Sequence, residues 1–171
     1  MSSKALPASF ELDEGLIQRL LDLAEEAGRD IMAIYAQDAD VREKEDTSPL
    51  TAADIASHDR ILAGLKVLTP TLPVLSEESA PMSAAERLSW STYWLVDPLD
   101  GTKEFIHRNG EFTVNIALIA HHAPTFGIVH VPAQGLTYYG RVGQGAFRLD
   151  CHSRTSIHVQ KPAVVPLRVV G

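Results

Sequence analysis

The sequence holds a single cysteine, Cys151, so no disulfide can close within the chain, and the scarcity fits a reducing compartment. No apolar run approaches the roughly 20 residues that cross a bilayer, so no transmembrane segment is expected. Met1–Ser9 lacks the basic-then-apolar pattern of a secretion signal, and the expectation is a cytoplasmic protein. Positive charge is also short: 15 Lys and Arg face 22 Asp and Glu, a formal net charge of −7. That balance argues against a nucleic-acid polymer as partner, because such binding needs basic patches that displace counterions. A small phosphorylated ligand stays compatible if positive charge is supplied locally. No G-x-G-x-x-G follows a strand, and neither a P-loop nor a nucleophile-elbow serine occurs. Cys151-His152 has no companion pair at zinc-finger spacing. Internal repeats and low-complexity segments are absent too.

The 171 residues, 45% of them apolar and 22% charged, are enough for one good-sized domain or part of a two-domain protein. Leu16, Leu20, Leu23, Ala27, Ile31 and Ile34 recur at helical spacing, which predicts an amphipathic helix over 12–36. A second helix is expected over 51–68, with Ile55, Leu62 and Leu65 on its buried stripe and Thr69-Pro70 as its stop. The period then shortens. Strands are expected at 72–75, 93–96, 112–120, 126–131, 136–139 and 146–149, with a loop and a helical turn across 76–91. Tyr93–Val96 is apolar enough to be buried on both faces. Two helices ahead of a strand meander give an α+β layered class. Val164–Gly171 reads as one more strand leading onward, so the expectation is a chain that is part of a longer one.

Three segments carry candidate chemistry. Asp97-Pro98-Leu99-Asp100-Gly101-Thr102 follows an apolar strand, so its carboxylates emerge at a strand end. Paired carboxylates with a proline and a glycine suit a hard divalent ion and a phosphate; a plain Asx-type turn uses the same residues. Glu77-Glu78 follows the preceding short strand and reads either as solvated charge or as carboxylates converging with Asp97. Thr51 and Asp54 match a helix-capping pattern, and Asp54 is equally placed to face the same site. His58 falls on the apolar side of its helix as a packed residue, and His121-His122 are expected to turn outward.

Together D-P-L-D-G-T at 97–102, Glu77-Glu78 and S-P-L-T-A-A-D at 48–54 resemble the inositol monophosphatase superfamily of lithium-sensitive, magnesium-dependent phosphatases. Trp94–Phe105 and Asn109–Leu118 are similar to its 3'(2'),5'-bisphosphate nucleotidase branch, and the likeness runs from residue 11 to the end. The resemblance implies a layered α-β-α-β-α sugar-phosphatase-type fold. In it, 1–10 is a polar lead, 11–160 the N-terminal α+β domain, and 161–171 the start of a truncated C-terminal domain. It implies two or more Mg²⁺ ions on Glu77, Asp97, the carbonyl of Leu99 and Asp100. Substrate contacts fall on Glu77, Leu99, Asp100, Gly101 and Thr102, and the catalytic set is Asp54, Glu77 and Thr102. Asp54 and Thr102 would orient the attacking water. The implied reaction is hydrolysis of 3'-phosphoadenosine 5'-phosphate to AMP and phosphate, clearing a by-product of sulfate assimilation. A homodimer and peripheral contact with the inner membrane surface are left open.

The family's later W-D-x-A-x motif, whose aspartate completes the metal site, does not occur in these 171 residues. A non-catalytic piece that binds a metal or a partner is therefore the alternative, with little turnover expected of these residues alone. An inositol monophosphatase is a further alternative. An aspartyl-phosphate phosphatase is a poorer one, because the position two before Asp100 is Pro98, which cannot be a nucleophile.

Overall fold

The computed structural model describes residues 11–37, 49–79 and 82–159. The proposed boundary at 160–161, the strand at 164–171 and the polar lead 1–10 lie outside them. Two long helices, α1 (Glu14–Gln37) and α2 (Pro49–Leu68), cover one face of a seven-stranded sheet. Its strands are β1 (Val74–Ser76), β2 (Thr92–Asp100), β3 (Thr113–Ala120), β4 (Ala123–Val131), β5 (Leu136–Arg141), β6 (Gly145–Leu149) and β7 (Arg154–Ile157). They lie side by side in chain order, β1 parallel to β2 and the rest antiparallel. The α+β class and the meander are as the sequence indicates. Two short helices, α3 (Ala84–Leu88) and α4 (Thr102–His107), interrupt the strands. Among the described residues no helix is long and apolar enough to cross a membrane.

α1 starts where Asp13 Oδ1 accepts a 2.7 Å hydrogen bond from the Leu16 amide, satisfying a donor the helix leaves open. Its stripe of Leu16, Leu20, Leu23, Ala27 and Ile31 is buried as expected. α2 departs from the expectation in two ways. Pro49 is its first residue, a position where a missing N–H costs nothing. Thr51 is therefore inside the first turn and not the cap. Its fully buried line is Ala53, Ser57, Ile61 and Leu65, four residues apart, while Ile55 is 46% exposed. The helix is rotated so that a serine faces the sheet. Thr69 ends it: its hydroxyl donates to Leu65 O at 3.0 Å and accepts from Trp94 Nε1 at 2.8 Å, tying α2 to β2.

β2 is buried on one face only. Thr92, Trp94, Val96 and Pro98 point to the helices, and Leu95 on the other side is 42% exposed. Leu95, Ala117, Gly127 and Val129 line an open groove of about 720 Å³ on that second face. The expectation of double burial thus fails among the described residues. His121 and His122 form the two-residue turn between β3 and β4, both at positive φ and both exposed, as a type I′ hairpin requires. Gly28 on α1 lets that helix settle onto β4, since a β-carbon there would stand 2.5 Å from His130 Nε2.

Candidate functional site

The D-P-L-D segment is not a turn after the strand but the bulged end of β2. Asp97 pairs with Asn115 and Asp100 with Thr113, so β2 advances three residues while β3 advances two. That extra residue is a β-bulge, and Pro98, which has no N–H to offer a ladder, suits it. The carbonyl of Pro98 turns inward, where Ser57 Oγ donates to it at 2.8 Å. The Leu99 side chain is buried, and its backbone N–H donates to the Asp97 carboxylate. Asp100 is exposed and accepts from Asn115 Nδ2 at 3.1 Å, while Thr113 Oγ1 donates to Asn115 Oδ1 at 3.3 Å.

Gly101 follows with φ of 96°, and a β-carbon there would lie 3.1 Å from Phe112 Cα and 3.2 Å from Glu111 O. Both the left-handed backbone and the crowding require glycine. Thr102 opens α4, held by the Phe105 amide donating to Gly101 O at 2.9 Å. Phe105 packs on Phe112 and Tyr35, which seats the short helix. Thr102 is exposed, and no hydrogen bond joins it to Asp54 among the described residues.

Glu77 comes directly after β1, and its amide donates to Val96 O at 3.1 Å. This extends the parallel register of Ser76 with Val96 and sets Glu77 beside Asp97. Asp54 arrives from α2, one turn before His58, whose Nδ1 shares a 2.9 Å hydrogen bond with the buried Ser76 Oγ. His58 is half-buried and held by that bond, not by the Ile55–Leu62 stripe expected around it, since Ile55 is exposed.

Electrostatics show which carboxylates converge. Asp54 is pushed up from 3.8 to about 7, first by burial, then by the charge of Glu78 and a shared hydrogen bond with it, then by Asp97 and Glu77. Asp97 rises to about 6, again first by burial, then by the charges of Glu77 and Asp100, with the Leu99 N–H working the other way. Asp54 Oδ1 is buried with no hydrogen-bond partner. The fold thus gathers Asp54, Glu77, Glu78 and Asp97, with Asp100 at the edge.

A hard divalent cation fits this set in donor type and charge: carboxylate oxygens, mutual repulsion, and one buried oxygen lacking a partner. As the side chains stand, no three of Asp, Glu, His or Cys among the described residues are arranged around one point. Instead Asp54 lies near Glu78 and Asp97 near Glu77, and the charge of each glutamate helps to raise the aspartate beside it.

Glu78 carries no role of its own in the sequence reading beyond its place in the Glu77-Glu78 pair. Ser57 and Asn115 are not among the expected site residues. Ser57 sits three residues after Asp54 with nothing local to mark it, and Asn115 lies inside a strand.

Residues 13–167 match the inositol monophosphatase family. The 3'(2'),5'-bisphosphate nucleotidase CysQ of Salmonella typhimurium is 49% identical over 158 residues, covering 91% of this chain and 63% of the relative. The chain therefore spans less than two thirds of that relative's length. Among solved structures, CysQ from Bacteroides thetaiotaomicron superposes with a TM-score of 0.71 at 39% identity, covering 90% of this chain and 54% of that one. Inositol monophosphatase II from Staphylococcus aureus gives 0.65 at 28% identity, covering 78% and 48%.

Proposed function

The chain belongs to the inositol monophosphatase family, and on that premise we propose that it serves a magnesium-dependent phosphomonoesterase. Its substrate is 3'-phosphoadenosine 5'-phosphate, released as AMP and phosphate. The observation that carries the cation part is Glu77 set beside Asp97 by the β1–β2 register, with the Asp54 carboxyl raised by burial and by the charges of both. Support for the nucleotide comes from the 49% identity to a bisphosphate nucleotidase. Clearing a by-product of sulfate assimilation in the cytoplasm, and inhibition by Li⁺, follow from the same reading.

Glu77, Asp97, Asp100 and the Leu99 carbonyl would hold Mg²⁺. Bound there, the metal lowers the pKa of water and offsets the charge of the phosphate. The chain's own residues do the rest. Asp54, whose carboxyl titrates near neutrality, takes the proton of the attacking water, a task suited to a pKa close to the working pH. The Thr102 hydroxyl orients that water. The left-handed turn at Gly101 brings backbone against the phosphate oxygens without a side chain in the way. Water attacks phosphorus directly, the P–O bond to the ribose oxygen breaks, that oxygen leaves as a hydroxyl by taking a proton from solvent, and no covalent enzyme intermediate forms.

A substrate panel tests the branch. With Mg²⁺, kcat/KM for 3'-phosphoadenosine 5'-phosphate is expected to exceed that for inositol monophosphate by at least about tenfold, one such factor corresponding to about 1.4 kcal/mol of transition-state preference. The reverse order assigns the inositol branch. Mg²⁺ binding without phosphate release from any substrate assigns a cation-binding unit without turnover.

A further inference from the structure

Two neighbouring residues of α2 reach the two carboxylate-bearing strand ends separately. Ser57 Oγ donates to the Pro98 carbonyl at 2.8 Å, and His58 Nδ1 meets Ser76 Oγ at 2.9 Å. Each contact falls where the sheet is weakest. β1 is a three-residue strand at the sheet's edge, paired only to β2 among the described residues. The Pro98 contact lies in the bulge, where the β2–β3 register breaks between Asp97 and Asp100. Beyond the Glu77 N–H bond to Val96 O, the ladder adds little at either end, and both ends take a further constraint from one helix. That helix is itself anchored, with Ile61 and Leu65 at 0% exposure. Asp54 sits on it one turn away, so a single rigid element carries one carboxylate and locates the others.

We propose that Ser57 and His58 are positioning residues, a two-point clamp that sets the spacing between Glu77 and the Asp97–Asp100 bulge and thereby the cation affinity of the cluster. Ser76 transmits the hold on Glu77 as its chain neighbour, and Pro98 transmits it to Asp97 and Leu99. Neither Ser57 nor His58 touches the cation or the substrate. The assignment rests on the cation reading of the cluster given above. Outer groups that orient metal ligands are worth about 10- to 100-fold in affinity where they have been removed.

Two readouts on the full chain test this. The first is Mg²⁺ titration, followed calorimetrically, of wild type, Ser57→Ala, His58→Ala and His58→Asn. The clamp predicts a dissociation constant raised at least about tenfold in the two alanine variants. Recovery to within about threefold is expected in His58→Asn, whose amide can stand where Nδ1 stands. The second readout needs no metal: hydrogen exchange of the Glu77 amide should quicken in both alanine variants while the Ile128 amide is unchanged. Folded alanine variants with wild-type Mg²⁺ affinity overturn the proposal. If wild type binds no Mg²⁺, the cation reading falls, and unchanged Glu77 exchange in the alanine variants then overturns the clamp as well.

Discussion

Asp54 on α2 faces Glu78 at the end of β1, and the charge of Glu78 adds to burial in holding the Asp54 carboxyl up to about 7. The folded chain therefore holds a proton on Asp54 that the unfolded chain releases near 3.8, and it holds it until about pH 7. A raised folded pKa contributes stability that is complete below the unfolded value and is lost as pH rises through the folded one. Asp97, raised to about 6, acts in the same direction. His130 opposes them: burial lowers it from 6.5 to about 4, so its contribution is present above 6.5 and lost as pH falls through about 4. The Asp54 effect is isolated by comparing wild type with Asp54→Asn. In urea unfolding without metal, the variant should gain on wild type from pH 4 to about 7 and level off above it. A constant difference across that range would show that Asp54 carries no extra proton in the fold.

The same proton competes with Mg²⁺. The rise in melting temperature on adding Mg²⁺ to wild type is therefore expected to be larger at pH 8 than at pH 5. An equal shift at both values would place the bound ion away from Asp54 and Asp97.

Gly101 is required twice over, by its φ of 96° and by Phe112 Cα 3.1 Å from where a β-carbon would stand. A left-handed residue with a side chain costs about 1–2 kcal/mol, and the backbone neighbour cannot yield cheaply. Gly101→Ala should lower the unfolding free energy by about 2 kcal/mol in urea titration. A loss under about 0.5 kcal/mol would mean that the turn has room it does not show here.

Gly28 tests packing far from the carboxylates. The His130 ring that a β-carbon would strike is buried and bonded through Nδ1 to Thr137 Oγ1 at 2.9 Å, so it has little freedom to move aside. Gly28→Ala should cost about 1–3 kcal/mol as an overpacked contact, while Mg²⁺ affinity stays at the wild-type value. Lost affinity would tie the α1–β4 contact to the cluster.

The elements legible in the sequence are those with a long apolar period. α1 shows its stripe from Leu16 to Ile31, and β3 shows an apolar run from Ile116 to Ala120. α4 was not legible, because six residues are too few to establish a helical period. Nor was β7, whose four residues are all exposed and carry no inside–outside alternation. The facing of α2 was misjudged because a serine occupies its buried line; Ser57 is there for the Pro98 carbonyl, a partner 41 residues away. In the site, Asp54, Glu77, Asp97 and Asp100 could be picked out by type and by place after strand ends. The bulge that aims them could not, since it depends on the register between β2 and β3. The link between Glu78 and Asp54 likewise exists only once α2 and the end of β1 are brought together.

The most direct test of the account is phosphate release from 3'-phosphoadenosine 5'-phosphate, measured across a Mg²⁺ titration for wild type and Asp97→Asn. The account predicts release that requires Mg²⁺, is suppressed by Li⁺, and falls by at least about a thousandfold in the variant, a barrier increase of about 4 kcal/mol. Release that proceeds without Mg²⁺, or that survives in Asp97→Asn at saturating Mg²⁺, would contradict it.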